Sequence, residues 1–359
     1  MTVGLIAGLI VIFFLAVAAT GIKTDNLIQK MKYDLCYLML REYTPLLAGE
    51  SPPAEYENAE TSYHTQTESE LEFEKILARE AAAEQPQVVE ETQQADSENV
   101  QKAEPKKTIS LEKLNDFDYL IQNFYTVDKT TTINSSQLNA KKLLAKDCTI
   151  QKRTDGAPQI LIYHTHSQEG YKGSGEGDSS TSVMAVGDRL TQILQEKYGY
   201  HVLHHTGTYD VGDRDHAYNK SAPALEQLLK DNPSIEVVID LHRDAVGENT
   251  RLVTEIDGKK TAQVMFFNGL SKSTSTGEID YLRNPYIQDN LAFSLKLQIA
   301  ATELYPGFTR KIYLKSYRYN MHFCPKSMLV EVGAQTNTFK EALNAMEPLA
   351  AVIDRVLTP

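Results

Sequence analysis

Apolar residues follow two different patterns along the chain, and these patterns alternate after the first hundred residues. The run 235–241, IEVVIDL, is largely apolar and rich in β-branched residues, which is typical of a strand buried on both faces. The stretch 181–197 instead places its apolar residues three or four positions apart, which predicts an amphipathic helix that stops at Gly199.

The same two patterns continue to the end of the chain and predict a full set of elements. The predicted strands are 160–163, 200–205, 235–241, 250–256, 262–268 and 327–332. The predicted helices are 111–124, 181–197, 223–230, 288–304 and 338–356. This alternation favours an α/β fold with a mixed, mostly parallel sheet and helices on both faces. Residues 109–359 are therefore predicted to form one domain. The helix at 223–230 is expected to carry Pro223 in its first turn, where the missing N–H costs little.

The first 22 residues carry no charged side chain and are almost entirely apolar. About 20 helical residues span roughly 30 Å of hydrocarbon, so residues 1–22 are predicted to be an uncleaved transmembrane anchor. A cleavable signal peptide is the alternative, although it usually has a basic start and a shorter apolar core. Residues 23–47 have helical spacing and predict a juxtamembrane helix, which either packs on lipid headgroups or binds a partner.

The acidic residues are concentrated in one segment. The formal net charge is −12, and residues 50–105 hold fifteen Asp and Glu against three Lys and Arg, which accounts for all of it. High like charge and low hydrophobicity prevent burial, so residues 48–108 are predicted to be a disordered linker. The rest of the chain has no basic excess, which argues against nucleic acid as a partner. The three cysteines are far apart and predict no disulfide framework.

Metal-binding residue types follow three of the predicted strands. The first strand leads into HTHSQE at 164–169, the third ends in DLHRD at 240–244, and the last ends in Glu331-Val332-Gly333. Open α/β sheets bind ligands outside the carboxyl ends of their strands. If the three strands are parallel neighbours, four side chains meet at one edge of the sheet. These four are His166, Glu169, His242 and Glu331.

These residue types suit a catalytic zinc site. Zn²⁺ in enzymes takes about three protein ligands, and neutral imidazole and carboxylate are suitable ones. His166 and Glu169 lie on one turn, and His242 completes the predicted ligand set. A separate carboxylate is then needed as general base, and Glu331, at an otherwise apolar strand end, is the predicted one.

Several neighbouring polar residues have more than one interpretation. His164 is predicted to support the site or to bind substrate rather than the metal. Asp240 either orients the His242 ring or ends the strand. Arg243 either polarises a carbonyl or binds a substrate carboxylate, or it pairs with Asp244.

Two further polar clusters have ordinary interpretations. The histidines of the second strand are predicted to be exposed or edge residues: His201, His204 and His205. The segment DVGDRDHAYNKS at 210–221 is predicted to be a turn followed by the start of a helix. Its candidates for the wall of the cleft are Arg214, His216 and Tyr218.

The motifs resemble those of the stage II sporulation protein P family. The segments that carry the resemblance are HTHSQE (164–169), DLHRDA (240–245) and LVEVGAQTNT (329–338), with FYTVDKTT (124–131) and PQILIYHTHSQEGY (158–171) in addition. The resemblance covers roughly residues 109–359. It implies that the zinc-site histidines are His166 and His242 and that the catalytic glutamate is Glu331.

The resemblance also implies a function. The family is similar in fold to zinc N-acetylmuramoyl-L-alanine amidases, and it is implied to cleave peptidoglycan between muramic acid and L-alanine during forespore engulfment. Cross-link endopeptidase activity is implied beside the amidase activity. Proteins D and M of the same sporulation stage are the implied partners. The catalytic domain is expected outside the cytoplasm, held to the cell membrane by a single span.

The sequence departs from this pattern at two places. Related amidases supply a metal-binding glutamate early in the helix after the first histidine, where this chain reads Thr181-Ser182-Val183. Glu169 is the predicted substitute. The basic residues near the anchor all follow it, which by the positive-inside rule would put the domain in the cytoplasm. The implied peptidoglycan substrate favours an extracytoplasmic domain despite this count of basic residues, because long domains translocate with little regard to local charge.

Two alternatives to the amidase hypothesis remain from the sequence. An H-x-H motif at a strand end also opens the two-metal site of metallo-β-lactamase-like hydrolases, although those continue with Asp-His where this chain has Gln168-Glu169. The second alternative is a non-catalytic, membrane-tethered scaffold that binds cell wall.

Overall fold

A computed structural model gives the fold of residues 109–359. The predicted anchor (1–22), juxtamembrane helix (23–47) and acidic linker (48–108) lie outside these described residues. None of the helices within residues 109–359 combines the length and the apolar composition that a membrane span requires.

The described residues form short amino-terminal helices followed by an alternation of strands and longer helices. The α-helices of this region are α1 (Leu111–Leu114), α2 (Phe117–Phe124), α3 (Ala140–Leu144), α4 (Val183–Glu196), α5 (Ala217–Asp231), α6 (Ile287–Leu304) and α7 (Phe339–Leu357). Its strands are β1 (Tyr125–Val127), β2 (Ile160–Tyr163), β3 (Val202–His204), β4 (Val237–Asp244), β5 (Val253–Ile256), β6 (Lys259–Ala262), β7 (Val264–Gly269), β8 (Lys272–Ser273), β9 (Gly277–Glu278), β10 (Ile312–Lys315) and β11 (Lys326–Ala334).

Seven of these strands form one sheet in the order β1, β10, β7, β11, β4, β2, β3. The strands β11, β4, β2 and β3 are parallel neighbours, and β1, β10 and β7 form a second parallel block. The two blocks run in opposite directions, because β7 and β11 pair antiparallel. The predicted mixed, mostly parallel sheet is confirmed, and its two blocks present their carboxyl ends at opposite edges.

Both faces of the sheet are covered by helices, as predicted. Successive strand residues point to opposite faces, so Ile160 and Ile162 join the large core with α4, α6 and α7. Leu161 and Val238 point the other way and pack with Leu225 of α5. This double burial explains why the central strands are almost wholly apolar.

The predicted start of α5 at residue 223 was wrong, whereas the prediction that a turn and the start of a helix lie within 210–221 is confirmed. The helix begins at Ala217, six residues before the predicted start, so Pro223 lies inside it rather than in its first turn. Ala217 and Tyr218 are both buried, and tertiary packing of these residues extends the helix toward its amino terminus.

The sequence patterns also missed several short elements, namely β1, β6, β8, β9, β10 and α3. Strands of two to four residues are too short to show a period. One signal was present, however: Asp257-Gly258 joins β5 to β6, and both residues have positive φ, 50° and 75°. An Asp-Gly pair is a strong hairpin signal because such turns need left-handed backbone at both positions.

Candidate active site

Strand topology brings the predicted site residues to one edge of the sheet. The strand β4 lies between β2 and β11 and is parallel to both. Glu331 of β11 is the direct register partner of His242 on β4. His166 follows β2, and its ring centroid lies 5.3 Å from that of His242. The structure therefore places two imidazoles and a carboxylate together, as the parallel arrangement requires.

Glu169 joins this cluster from the turn after β2. Its Oε2 lies 3.3 Å from Nδ1 of His242 and accepts a hydrogen bond from the backbone N–H of Arg243 at 3.0 Å. Its Oε1 accepts a hydrogen bond from Nη2 of Arg214 at 2.7 Å. The carboxylate is buried, with 4 % of the side chain exposed, so these contacts hold it in one position.

The turn that carries His166 is anchored by two buried carboxylates. Asp240 accepts hydrogen bonds from both the backbone N–H and the hydroxyl of Thr165, at 2.9 and 2.7 Å. Asp210 accepts from the backbone N–H groups of Ser167 and Gln168, at 3.1 and 3.0 Å. Backbone groups on both sides of His166 are therefore fixed, which sets the position of its ring.

Asp240 also contacts the second nitrogen of His242, since its Oδ1 lies 2.7 Å from Nε2. Burial tends to lower the pKa of His242, but the carboxylates of Asp240 and Glu169 outweigh it and raise this pKa well above 6.5. Burial tends to raise the pKa of Glu169, and the opposing charges, His242 first, bring it below its usual range. The two carboxylates thus favour a positive charge at His242.

Glu331 has a different environment. Its Oε2 is buried and has no hydrogen-bond partner among residues 109–359. Burial raises the pKa of Glu331 to about 8; the charge of His242 acts in the opposite direction, and those of Asp244 and Glu169 add to the rise. The register of β11 shifts just after Glu331, where Gly333 has a φ of 62°. A bulge of this kind turns a side chain toward a site.

His164 is part of a separate hydrogen-bonded chain. Its Nδ1 lies 2.7 Å from the carbonyl oxygen of Leu241, so Nδ1 carries a proton and donates it. Burial, together with the nearby His204, lowers the pKa of His164 to about 3, so Nε2 accepts a hydrogen bond from Nε2 of His204 at 2.9 Å. Nδ1 of His204 lies 2.8 Å from Asp188 of α4. His204 lies on β3, the edge strand of the sheet, as one of the two predicted alternatives has it, although only 7 % of its side chain is exposed.

Arg243 and Asp244 have other partners than each other's side chains. The guanidinium of Arg243 donates to the carbonyl oxygens of Gly170 and Asp244, at 2.9 and 3.3 Å. The carboxylate of Asp244 instead pairs with Arg310 at 2.5 Å. The alternative in which Arg243 pairs with the Asp244 side chain was therefore wrong, because a strand residue and its successor point to opposite faces.

Two residues near the cluster were only minor candidates in the sequence. Arg214 pairs with Glu169, and Tyr218 packs edge-to-face on His166 with ring centroids 5.7 Å apart. The charged segment at 210–221 was the sequence signal for these two residues. It is far from HTHSQE in the sequence, so its contacts with Glu169 and His166 could not be predicted. His216, the third candidate, pairs with Asp213 instead.

The donors fit a zinc ion in their chemistry. Zinc lies about 2.0 to 2.2 Å from its nitrogen and oxygen ligands, so two donors of a tetrahedral ion are about 3.4 Å apart. The 3.3 Å between His242 Nδ1 and Glu169 Oε2 matches that separation. Nδ1 of His166 is buried without a hydrogen-bond partner in the described region. The two imidazoles and the carboxylate are therefore donor types that suit zinc.

The same residues are not arranged as a closed metal centre. Within residues 109–359, no group of three or more His, Cys, Asp or Glu side chains is arranged so that it could hold a metal ion. The salt bridge from Arg214 to Glu169 and the contact of Asp240 with His242 engage two of the donors.

Several solved structures are similar to this chain. They include the catalytic domain of an N-acetylmuramoyl-L-alanine amidase from Bacillus (Paenibacillus) polymyxa var. colistinus, at 14 % identity over 55 % of this chain and 95 % of that one, with a TM-score of 0.31. The amidase of Nostoc punctiforme is 13 % identical over 56 % and 94 % of the two chains, with a TM-score of 0.35. An amidase of Clostridium difficile 630 is 15 % identical over 56 % and 95 %, with a TM-score of 0.33.

Sequence comparison gives a relative and a family. The stage II sporulation protein P of Bacillus subtilis (strain 168) is 25 % identical over 224 residues, which are 57 % of this chain and 53 % of that protein. The chain thus matches about half the length of this curated relative. The family model of stage II sporulation protein P matches residues 41–354, which is most of the chain. This chain therefore belongs to the stage II sporulation protein P family.

Proposed function

We propose that this protein is a zinc-dependent peptidoglycan hydrolase of sporulation that cleaves the amide between N-acetylmuramic acid and L-alanine. One observation carries the proposal: His166, Glu169, His242 and Glu331 come together at the carboxyl edge of three parallel strands. Family membership supports the role in sporulation. The choice of this amide rests on the resemblance of the sequence motifs.

The proposal gives each residue a role. His166, Glu169 and His242 would hold the zinc ion. When bound, zinc supplies Lewis acidity, which polarises the substrate carbonyl and acidifies water at the site. Arg214 and the backbone of Arg243 keep the Glu169 carboxylate in place through their hydrogen bonds. Asp240 orients the His242 ring from its other side.

Glu331 is the proposed general base. Its Oε2 is buried and unpartnered in the described region, so no other group competes for it. Because burial raises the pKa of Glu331 to about 8, the ionised form of this carboxyl, whose share grows as pH rises, would take a proton from the attacking water and return it to the leaving amine. The guanidinium of Arg243 already bonds two carbonyls. Its action on a substrate carbonyl or carboxylate remains a prediction that requires an exchange of these partners.

The cellular setting follows from the sequence-level predictions. The anchor at 1–22 would hold the protein in the cell membrane, and the linker at 48–108 would let the catalytic domain reach the wall from the extracytoplasmic side. Cross-link endopeptidase activity would accompany the amidase activity during engulfment of the forespore. Stage II sporulation proteins D and M are the proposed partners, through the resemblance alone.

The direct test is digestion of purified cell wall by the full-length protein, with zinc measured by mass spectrometry. We expect release of stem peptides with free amino-terminal L-alanine and about one zinc per chain. His166→Ala and His242→Ala should abolish release and lower zinc occupancy without unfolding the protein. His201→Ala is the control, because among residues 109–359 the partner of that ring is the Arg153 carbonyl. Wild-type digestion by both site variants would overturn the proposal.

The same measurements separate the two alternatives. Two metal ions per chain with turnover would favour a metallo-β-lactamase-like hydrolase. A folded protein without metal or turnover would favour the wall-binding scaffold.

A further inference from the structure

The second parallel block of the sheet ends on the side away from the candidate active site. Strands β1, β7 and β10 run opposite to β4 and β11, so their carboxyl ends meet at the other edge. Backbone hydrogen bonds join these ends: the N–H of Leu270 donates to the carbonyl of Lys315, and that of Thr274 to the carbonyl of Thr130, at 2.9 and 2.8 Å. Carboxyl ends of parallel strands are where open α/β sheets bind ligands.

A cavity of about 650 Å³ lies at this second edge. Residues from the loop after β7, from β9 and from the turn that leads to α6 form its walls. The wall residues that matter here are Ser271, Glu278, Ile279, Asp280, Arg283 and Ile287. Cavities of this size hold small ligands or the ends of peptides.

Ser271 marks the cavity as more than a surface depression. The residue is 3 % exposed, and its Oγ is buried without a hydrogen-bond partner among residues 109–359. Its backbone is left-handed, with a φ of 49°, and its carbonyl accepts a hydrogen bond from the N–H of Ile279 at 2.8 Å. A buried hydroxyl without a partner is uncommon and costs free energy, so a ligand that supplies the missing hydrogen bond would be favoured.

The charges around the cavity are unpaired in the described region. Glu278, Asp280 and Arg283 line the same space, yet none of them forms a salt bridge within residues 109–359. Two carboxylates and one guanidinium complement a ligand with at least one ammonium and one carboxylate. Ile279 and Ile287 add an apolar wall for the aliphatic atoms between such groups.

We propose that this cavity binds the zwitterionic end of a wall stem peptide, with the ligand carboxylate on Arg283 and its ammonium on Glu278 and Asp280. The identification of the peptide with the cell wall rests on the proposed function. The site is separate from the hydrolytic cluster, because the two lie at opposite edges of one sheet. It would hold one peptide of the wall while the other edge acts on another.

The test measures binding of the tripeptide L-lysyl-D-alanyl-D-alanine to the full-length protein by calorimetry. We expect saturable binding by the wild type and at least tenfold weaker binding of the diacetylated, amidated tripeptide, which lacks the charges. Arg283→Gln should weaken binding of the free tripeptide by at least tenfold. Arg189→Gln is the charge-matched control, because Arg189 lies on α4 with Gln192 as its partner, and it should bind like the wild type.

Ser271→Gly provides a second variant that the fold tolerates, because glycine accepts the positive φ at this position. It removes only the hydroxyl and should weaken binding severalfold. Absence of saturable binding, equal binding of the capped tripeptide, or equal affinities of the Arg283 and Arg189 variants would overturn the proposal.

The outcome is independent of hydrolysis. His166→Ala should bind the tripeptide as the wild type does. Loss of binding in this variant would show that the tripeptide binds at the hydrolytic cluster, and it would overturn the second site. If the protein binds the tripeptide but digests no cell wall, the result would support this second site and contradict the proposed function.

Discussion

Nδ1 of His242 lies 3.3 Å from Oε2 of Glu169, although the two residues are 73 positions apart in the chain. One belongs to a central strand and the other to the turn after the neighbouring strand. The contact puts the carboxylate of HTHSQE beside the imidazole of DLHRDA. In this chain the start of that helix carries Ser182, whose hydroxyl accepts the N–H of Met184 as a cap.

This geometry predicts the effect of Glu169→Gln. The change removes one anionic donor and leaves Arg214 without its closest carboxylate, so zinc affinity should fall by at least about tenfold. The measurement is zinc competition with a chelator of known affinity. Glu176→Gln is the control, because Glu176 is exposed in the loop that follows. Unchanged zinc affinity in Glu169→Gln would show that Glu169 is not a ligand.

Glu331→Gln should separate metal binding from turnover. The amide keeps the shape of the side chain but cannot accept the proton, so we expect wall digestion to fall by roughly 10² to 10⁴. Zinc content should remain that of the wild type. Loss of the metal from this variant would instead make Glu331 a ligand, and an undiminished rate would remove it from the mechanism.

Gly187→Ala should destabilise the protein even though alanine favours helices. A Cβ at this position of α4 would lie 2.7 Å from Nε2 of His164 and 2.8 Å from Nε2 of His204. Neither ring can move without breaking its hydrogen bonds, so we expect a loss of about 1 to 3 kcal/mol in the free energy of unfolding.

Chemical denaturation of Gly187→Ala measures this loss. Gly175→Ala is the control, since its Cβ would find its nearest neighbour at 3.8 Å. Equal stability of the two variants would mean that the two histidines are not held as the structure shows.

His322 should make stability depend on pH. Burial, with the charge of Arg318 in addition, lowers the pKa of His322 to about 3 in the folded protein. An unfolded histidine has a pKa of about 6.5, so between these values the unfolded chain binds the extra proton. The free energy of unfolding therefore falls as pH falls through this window.

His322→Phe removes this contribution and keeps a ring in place. Between pH 6.5 and pH 4.5, its free energy of unfolding should fall less steeply than that of the wild type in denaturant titrations. The difference between the two slopes should correspond to the uptake of up to one proton on unfolding. Parallel slopes for the two proteins would contradict the buried, neutral state of His322.

The sequence identified the principal strands and helices because their periods are long enough to read. The continuous apolar runs of β2 and β4 reflect burial of these strands on both faces. The spaced apolar residues of α4 and α7 reflect burial of these helices on one face. The strand β10 was missed, because a four-residue strand has no visible period. The boundary predicted at residue 223 was six residues late, although the segment 210–221 was predicted to contain the start of a helix.

The sequence by itself determined which chemical groups this protein has and that they follow strand ends: His166, Glu169, His242 and Glu331 could be named from local pattern. Only the tertiary structure decided that β4 lies between β2 and β11. It also decided that Arg214 contacts Glu169 and that Asp240 contacts His242. The tertiary structure further decided that β7 pairs antiparallel with β11 and so gives the sheet carboxyl strand ends at a second edge. The physical reason is that local sequence sets backbone preference and burial period, whereas strand order and ion pairs depend on contacts between distant residues.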